Sequence, residues 1–109
     1  MHTKGNVAVV TGAGSGLGAA LARRVADAGM KVAVADIAAD DAESVAEEIR
    51  GRDGSALALP LDAGDEASIS ALADQVEETL GPCQILCANV GVQQFGRAED
   101  LTRADWEWV

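Results

Sequence analysis

The chain has 109 residues, 49% of them hydrophobic, and this length and composition predict a single globular domain. Eighteen acidic and eight basic residues give a net charge of −10, which opposes binding to nucleic acid or to anionic lipid. No apolar run reaches the roughly 18 residues of a membrane span, and no signal-peptide pattern is present. We therefore expect a cytoplasmic protein without nucleic-acid or membrane partners.

Cysteine and histidine are too sparse to predict a metal site. Cys83 and Cys87 lie four residues apart with no third ligand nearby, and His2 belongs to the N-terminal tail. We expect no bound metal, and we interpret both cysteines as small buried hydrophobic residues.

Four short apolar runs predict β-strands at residues 6–11, 31–36, 56–61 and 84–88. The first two consist largely of valine and alanine. Strands that are this uniformly apolar are covered on both faces, as in a parallel sheet.

Apolar residues at helical spacing predict three amphipathic helices between these strands. Their apolar faces are Leu17, Leu21, Val25 and Ala28, then Ala38, Ala42, Val45, Ala46 and Ile49, then Ile69, Leu72, Val76 and Leu80. Asp40 and Asp65 are expected to cap the second and third helices. The helices are expected to end at Gly29, Gly51 and Gly81.

Alternating strands and helices predict an α/β fold with a Rossmann-like doubly wound parallel sheet. Short right-handed crossovers favour the strand order 3-2-1-4. Residues 90–99 are predicted to form a loop, and residues 101–109 the first turns of a fourth helix. We expect one domain over residues 1–109, incomplete because the chain stops within this fourth helix.

A glycine-rich segment joins the first strand to the first helix. Residues 11–18 read Thr-Gly-Ala-Gly-Ser-Gly-Leu-Gly. Glycine permits a tight turn and lets a pyrophosphate approach the backbone, and the N–H groups of the helix N-terminus attract an anion. The segment predicts a dinucleotide site more strongly than a ligand-free turn. A Walker-type ATP site is excluded because no Gly-Lys-Ser/Thr follows.

Asp36 ends the second predicted strand, twenty residues beyond Gly16, where a carboxylate accepts hydrogen bonds from an adenosine ribose. It would repel a 2′-phosphate, and neither Ser15 nor Ile37 supplies a compensating cation. The position favours NAD over NADP. The alternative is an ordinary solvated aspartate at a strand end.

Together these motifs resemble the N-terminal, cofactor-binding half of the short-chain dehydrogenase/reductase family. The glycine spacing, Asp36, Asp62 after the third strand and Asn89-Val90-Gly91 after the fourth match the family's motifs in order. Val90 departs from the alanine usual in the family. The resemblance implies that Asp62 pairs with the adenine ring, and that Asn89 ties the central sheet together and contacts a cofactor ribose.

Motif and resemblance together predict one cofactor site. Its expected residues are Gly12, Gly14, Ser15, Gly16, Leu17, Gly18, Asp36, Ile37, Asp62, Ala63, Asn89, Val90 and Gly91. In the family the residues that flank the substrate would be Gln93, Gln94 and Phe95, although an ordinary surface loop explains them equally well.

The resemblance implies hydride transfer between NAD and an alcohol or carbonyl substrate, by a homo-oligomer. The family transfers protons with a Tyr-x-x-x-Lys pair, a serine and an asparagine of the fourth helix. This chain contains no tyrosine. We therefore assign no catalytic residue and expect the 109-residue chain alone to be inactive, as a fragment of a longer oxidoreductase.

Two other functions stay open. A stand-alone nucleotide-binding or regulatory module would hold the cofactor without chemistry. A methyltransferase is less favoured, because that class usually places an acidic residue ahead of the glycines, where this chain has Val9, Val10 and Thr11.

Overall fold

The computed structural model describes residues 4–91 and 96–108, so that His2, Gln93, Gln94, Phe95 and Val109 lie outside the described residues. The described elements are β1 (Val7–Thr11), α1 (Gly16–Asp27), β2 (Lys31–Asp36), α2 (Ala39–Gly51), β3 (Ser55–Pro60), α3 (Glu66–Thr79), β4 (Cys83–Cys87), a 3-10 helix (Ala98–Asp100) and α4 (Arg103–Trp108). The predicted strands and the first three helices are confirmed, each strand to within one residue at either end.

The four strands form one parallel sheet in the order β3-β2-β1-β4, which confirms the predicted topology. All strands therefore end at the same edge of the sheet. β1 and β2 are central, and the core of each strand is buried on both faces as their composition predicts. Between β1 and β4 the register shifts after Val7, whose N–H donates to the Gln84 side-chain oxygen at 2.7 Å.

Two layers of apolar side chains cover the sheet. On one face α1 and α2 pack through residues that include Ala22, Val45 and Ile49. On the other face α3 packs through Leu72 and Val76. Within the described residues, no helix is long and apolar enough to cross a membrane.

The buried face of α1 agrees with the prediction in part, since Leu21 and Val25 pack against the core but are not fully buried. Its buried residues are Gly18, Ala19 and Ala22. These small residues let α1 approach the sheet closely, and the helix consequently presents Leu17 outward with 67% of its surface exposed. Three further predicted core positions are exposed because each lies in a helix cap or a terminal turn, namely Ala28, Ala38 and Ile69.

The helix ends agree with the prediction in part. The Asp65 carboxylate caps α3 by accepting from Ala67 N–H at 3.1 Å. The expected cap at Asp40 is wrong, because the chain turns earlier and α2 begins at Ala39, which places Asp40 inside the first turn. Gly29 and Gly81 follow α1 and α3 with φ values of 90° and 110°.

Gly51 is the last residue of α2 and not the left-handed residue that follows the helix. That conformation falls on Asp53, whose φ is 63°. Asp53 N–H donates to the Arg50 carbonyl at 3.1 Å, so the turn closes two residues later than the glycine suggests.

β4 lies at an edge of the sheet and is less buried than its composition predicts. Cys83 is exposed and Cys87 is half-buried, so the interpretation of both as buried residues is wrong. Leu86 is 63% exposed. The reason is positional, since β4 has a neighbour only on its β1 side in the described sheet.

Candidate cofactor-binding site

A cleft of about 350 Å³ opens where the carboxyl ends of the strands meet. It is lined by Gly12, Ser15, Asp36, Ile37, Leu61, Asp62, Ala63, Gly64, Asn89, Val90 and Gly91. The sequence did not single out Leu61 and Gly64, although both flank Asp62 in the same loop. The cleft is at the strand edge where ligands of open α/β sheets bind.

Gly18 lies beneath the cleft and determines how closely α1 approaches β1. A Cβ at this position would come within 2.1 Å of the Gly12 carbonyl oxygen and 2.7 Å of the Asn89 side-chain nitrogen. Only glycine fits between these groups. Gly18 therefore acts through packing and does not line the cleft.

The N-terminus of α1 offers N–H groups that the helix itself does not use. The first helical hydrogen bond runs from Ala19 N–H to the Ser15 carbonyl at 3.1 Å, so the N–H groups of Gly16, Leu17 and Gly18 precede it. The Ser15 side chain makes no capping hydrogen bond. At Gly16, with φ of 56°, no atom lies within 4 Å of the position of an added Cβ. This open backbone surface has the space and the polarity to fit a pyrophosphate.

The Asp36 carboxylate joins the end of β2 to the glycine-rich segment. Its Oδ2 accepts from Gly14 N–H at 2.8 Å, and its Oδ1 accepts from Ala38 N–H at 2.9 Å. A Cβ on residue 14 would lie 2.9 Å from Oδ2, so a larger residue there would force the carboxylate to shift. An ionised carboxylate has about four acceptor positions, which leaves capacity for ribose hydroxyl groups.

A second network joins β1 to the end of β4. Asn89 N–H donates to Thr11 Oγ1 at 3.0 Å, and that hydroxyl donates to the Cys87 carbonyl at 3.4 Å. The Asn89 side-chain amide donates to the Gly12 carbonyl at 3.4 Å. Thr11 thus helps to position Asn89. Its place at the start of the glycine-rich segment is the sequence feature that could have identified this role.

Asp62 and Ala63 lie at the opposite side of the cleft, in the loop after β3. Asp62 N–H donates to Ser68 Oγ at 2.9 Å, and Asp62 Oδ1 accepts from Gly64 N–H at 3.0 Å. These bonds hold an exposed carboxylate at the rim. In the parts of the chain that the structure describes, no three His, Cys, Asp or Glu residues are grouped as a metal site.

Most of the predicted residues therefore line this one cleft. The four predicted residues outside the lining are Gly14, Gly16, Leu17 and Gly18. Gly14 donates its N–H to the Asp36 carboxylate, whereas Gly16 and Leu17 are exposed at the start of α1.

The family model for short chain dehydrogenases matches residues 6–109. The chain belongs to the short-chain dehydrogenase family. It is 40% identical over 103 residues to D-threitol dehydrogenase of Mycolicibacterium smegmatis, a match that covers 94% of this chain and 40% of that protein. The chain thus spans well under half the length of the curated relatives it matches.

Solved structures of short-chain dehydrogenases share this fold closely. One from Burkholderia phymatum, in complex with NAD, has a TM-score of 0.95 at 34% identity, covering 100% of this chain and 39% of that one. A metagenomic short-chain oxidoreductase in complex with NADP has a TM-score of 0.91 at 33% identity, covering 98% of this chain and 49% of that one. Relatives of this fold therefore include complexes with either dinucleotide.

Proposed function

We propose that residues 1–109 form the NAD-binding part of a short-chain oxidoreductase that transfers hydride between the cofactor and an alcohol or carbonyl substrate. The observation that carries this proposal is the position of Asp36. Its carboxylate is fixed beside Gly14 at the edge of the cleft, next to the exposed side chain of Ile37. The Asp36 carboxylate can accept hydrogen bonds from the two hydroxyl groups of a ribose. Ile37 beside it provides no positive charge to pair with a 2′-phosphate.

The cleft divides into regions that would each hold one part of the cofactor. The N–H groups at the start of α1 would hold the pyrophosphate across Gly16. Asp36 would accept from the adenosine ribose, and Asp62 with Ala63 would border the adenine. Asn89 and the two residues after it would contact the second ribose. When bound, the nicotinamide ring supplies the hydride acceptor or donor.

Proton transfer to or from the substrate needs groups beyond these residues. The chain has no tyrosine, and Lys31 lies at the start of β2, where its Nζ donates to the Leu80 carbonyl at 3.1 Å. That end of the sheet is opposite to the cleft. We infer that turnover depends on residues outside 1–109, in keeping with the share of each relative that this chain covers.

The test compares ADP-ribose with 2′-phospho-ADP-ribose, because the predicted site binds the adenosine and pyrophosphate half of the cofactor. Hydrogen bonds to a charged group contribute roughly 1.5–3 kcal/mol. We expect the unmodified chain to favour ADP-ribose by about ten- to a hundredfold in titration calorimetry. Asp36→Ala should weaken ADP-ribose binding and narrow the difference in affinity between the two ligands. Adding Ile37→Arg to this variant should reverse the preference, because the guanidinium pairs with the 2′-phosphate.

Asp36→Asn serves as the control for folding, since an amide oxygen can still accept one of the two backbone hydrogen bonds. Thermal melting of each variant separates lost binding from lost structure. Equal affinity of the unmodified chain for the two ligands, or an unchanged ratio after loss of Asp36, would refute the preference for NAD.

A further inference from the structure

The first turn of α2 brings the Cβ atom of a second acidic residue, Asp41, close to the Asp36 carboxylate. A Cβ added to Gly14 would lie 2.9 Å from Asp36 Oδ2 and also 2.9 Å from the Asp41 Cβ atom. These two atoms are therefore within about 6 Å of each other, and both adjoin Gly14.

The same region carries the positive end of α2. The first helical bond there runs from Ala42 N–H to the Ala38 carbonyl at 3.1 Å, and no side chain caps the helix. Ala38 N–H instead donates to Asp36 Oδ1. Such a helix end attracts phosphate. By itself it would weaken the discrimination against a 2′-phosphate on a ribose held by Asp36.

The charges around Gly14 counter this attraction. Gly14 and Asp41 line one groove between α1 and α2, together with Arg23 and Glu48. Arg23 is engaged by Glu48, with 2.6 Å between Nε and Oε2. The groove therefore presents a negative charge from Asp41 beside the ribose end of the cleft, in addition to the charge of Asp36.

We propose that Asp41 is a second determinant of cofactor selectivity, which opposes a 2′-phosphate at the N-terminus of α2. This inference rests on the proposed function, because it concerns the same ribose site. Asp36 attracts the ribose hydroxyl groups and repels the phosphate. Asp41 has only the second effect, since its charge offsets the helix dipole without being required for the ribose contacts.

Asp41→Asn separates repulsion of the phosphate from attraction of the ribose hydroxyl groups. The variant is made in the polypeptide expressed from the native gene. The ratio of the dissociation constants for ADP-ribose and 2′-phospho-ADP-ribose is read by titration calorimetry. The interaction between one charged group and a helix terminus changes an affinity by about two- to fivefold. We expect Asp41→Asn to shift the ratio by this factor towards the 2′-phosphorylated ligand.

The matched control is Asp74→Asn, which makes the same change in net charge on α3, across the sheet. It should change both affinities alike and leave the ratio unchanged. If Asp41→Asn gives the same ratio as Asp74→Asn while the unmodified protein prefers ADP-ribose, this inference alone is wrong. If the unmodified protein shows no preference or binds neither ligand, the proposed function fails, and this inference with it.

Discussion

The glycines of the segment between β1 and α1 have different structural roles. Gly18 is required by contact, because a Cβ would overlap the Gly12 backbone. A Cβ on Gly14 would come within 2.9 Å of both Asp36 Oδ2 and Asp41 Cβ, so these side chains would have to shift. Gly16 meets nothing within 4 Å and is the one that leaves space for a ligand. Substitutions at these positions should therefore differ in whether they affect folding or binding.

Gly18→Ala should destabilise the fold itself. The added Cβ would be 2.1 Å from the Gly12 oxygen, and neither backbone can yield without separating α1 from β1. We expect a loss of about 3 kcal/mol or more in the free energy of unfolding, at or above the upper range for overpacked sites. Urea denaturation followed by circular dichroism measures the loss.

Gly51→Ala is the matched control for this substitution, because it also adds one methyl group to a helical glycine but meets open space. Helix propensity predicts that it raises stability by less than the roughly 0.5–1 kcal/mol of a mid-helix position, because Gly51 is the last residue of α2. Equal stabilities of the two variants would contradict the proposed contact at Gly18.

At the scale of the elements, the helices differ in whether a side chain caps the N-terminus. α2 starts without a side-chain cap because its N-cap residue is Ala38, which has no acceptor atom in its side chain and whose N–H donates to the Asp36 carboxylate. α1 likewise starts without one. Both helices thus face the cleft region with open N-termini, whereas α3 is capped by Asp65.

Asp65→Ala should destabilise α3 by about 1 kcal/mol, the usual effect of losing a capping carboxylate. Asp40→Ala tests the specificity of this effect. Asp40 lies inside the first turn of α2 and caps nothing, and the better helix propensity of alanine offsets the lost interaction with the helix dipole. Thermal unfolding of the two variants should therefore differ, and similar melting temperatures would argue against the cap at Asp65.

The sequence predicts elements better than side-chain environments, for physical reasons. β1 and β2 have uniform apolar runs, and their burial follows directly from that composition. The burial of Cys83 and Leu17 depends on which strand lies at the edge and on how closely α1 approaches the sheet. Both are tertiary properties. Spacing alone also could not show that Asp41 lies beside Gly14, because the contact depends on the angle at which α2 leaves β2.

At the scale of the whole molecule, the two edges of the sheet differ. β3 is covered by α2 and is half-buried along most of its length. β4 borders an apolar groove of about 670 Å³, on the α3 face of the sheet. The groove is lined by residues that include Val9, Leu72, Val76, Leu86 and Val90. Exposed apolar surface beside an open strand edge favours association with other chains.

We predict that the 109-residue polypeptide self-associates or partly unfolds through this edge. Sedimentation velocity should show an average mass that rises with concentration. Because the net charge of −10 opposes association, the effect should also strengthen as salt screens the repulsion. Leu86→Lys places a charge on the edge strand, where such residues block strand pairing, and should reduce the associated fraction.

Ile37→Lys provides the control, since it makes the same change in charge at an apolar residue that is 74% exposed but lies beside β2. If the β4 edge drives association, Ile37→Lys should leave the associated fraction unchanged or raise it slightly, because it weakens the general repulsion as much as Leu86→Lys does without touching β4. A chain that stays monomeric and melts cooperatively at all concentrations would contradict the prediction that the β4 edge drives association.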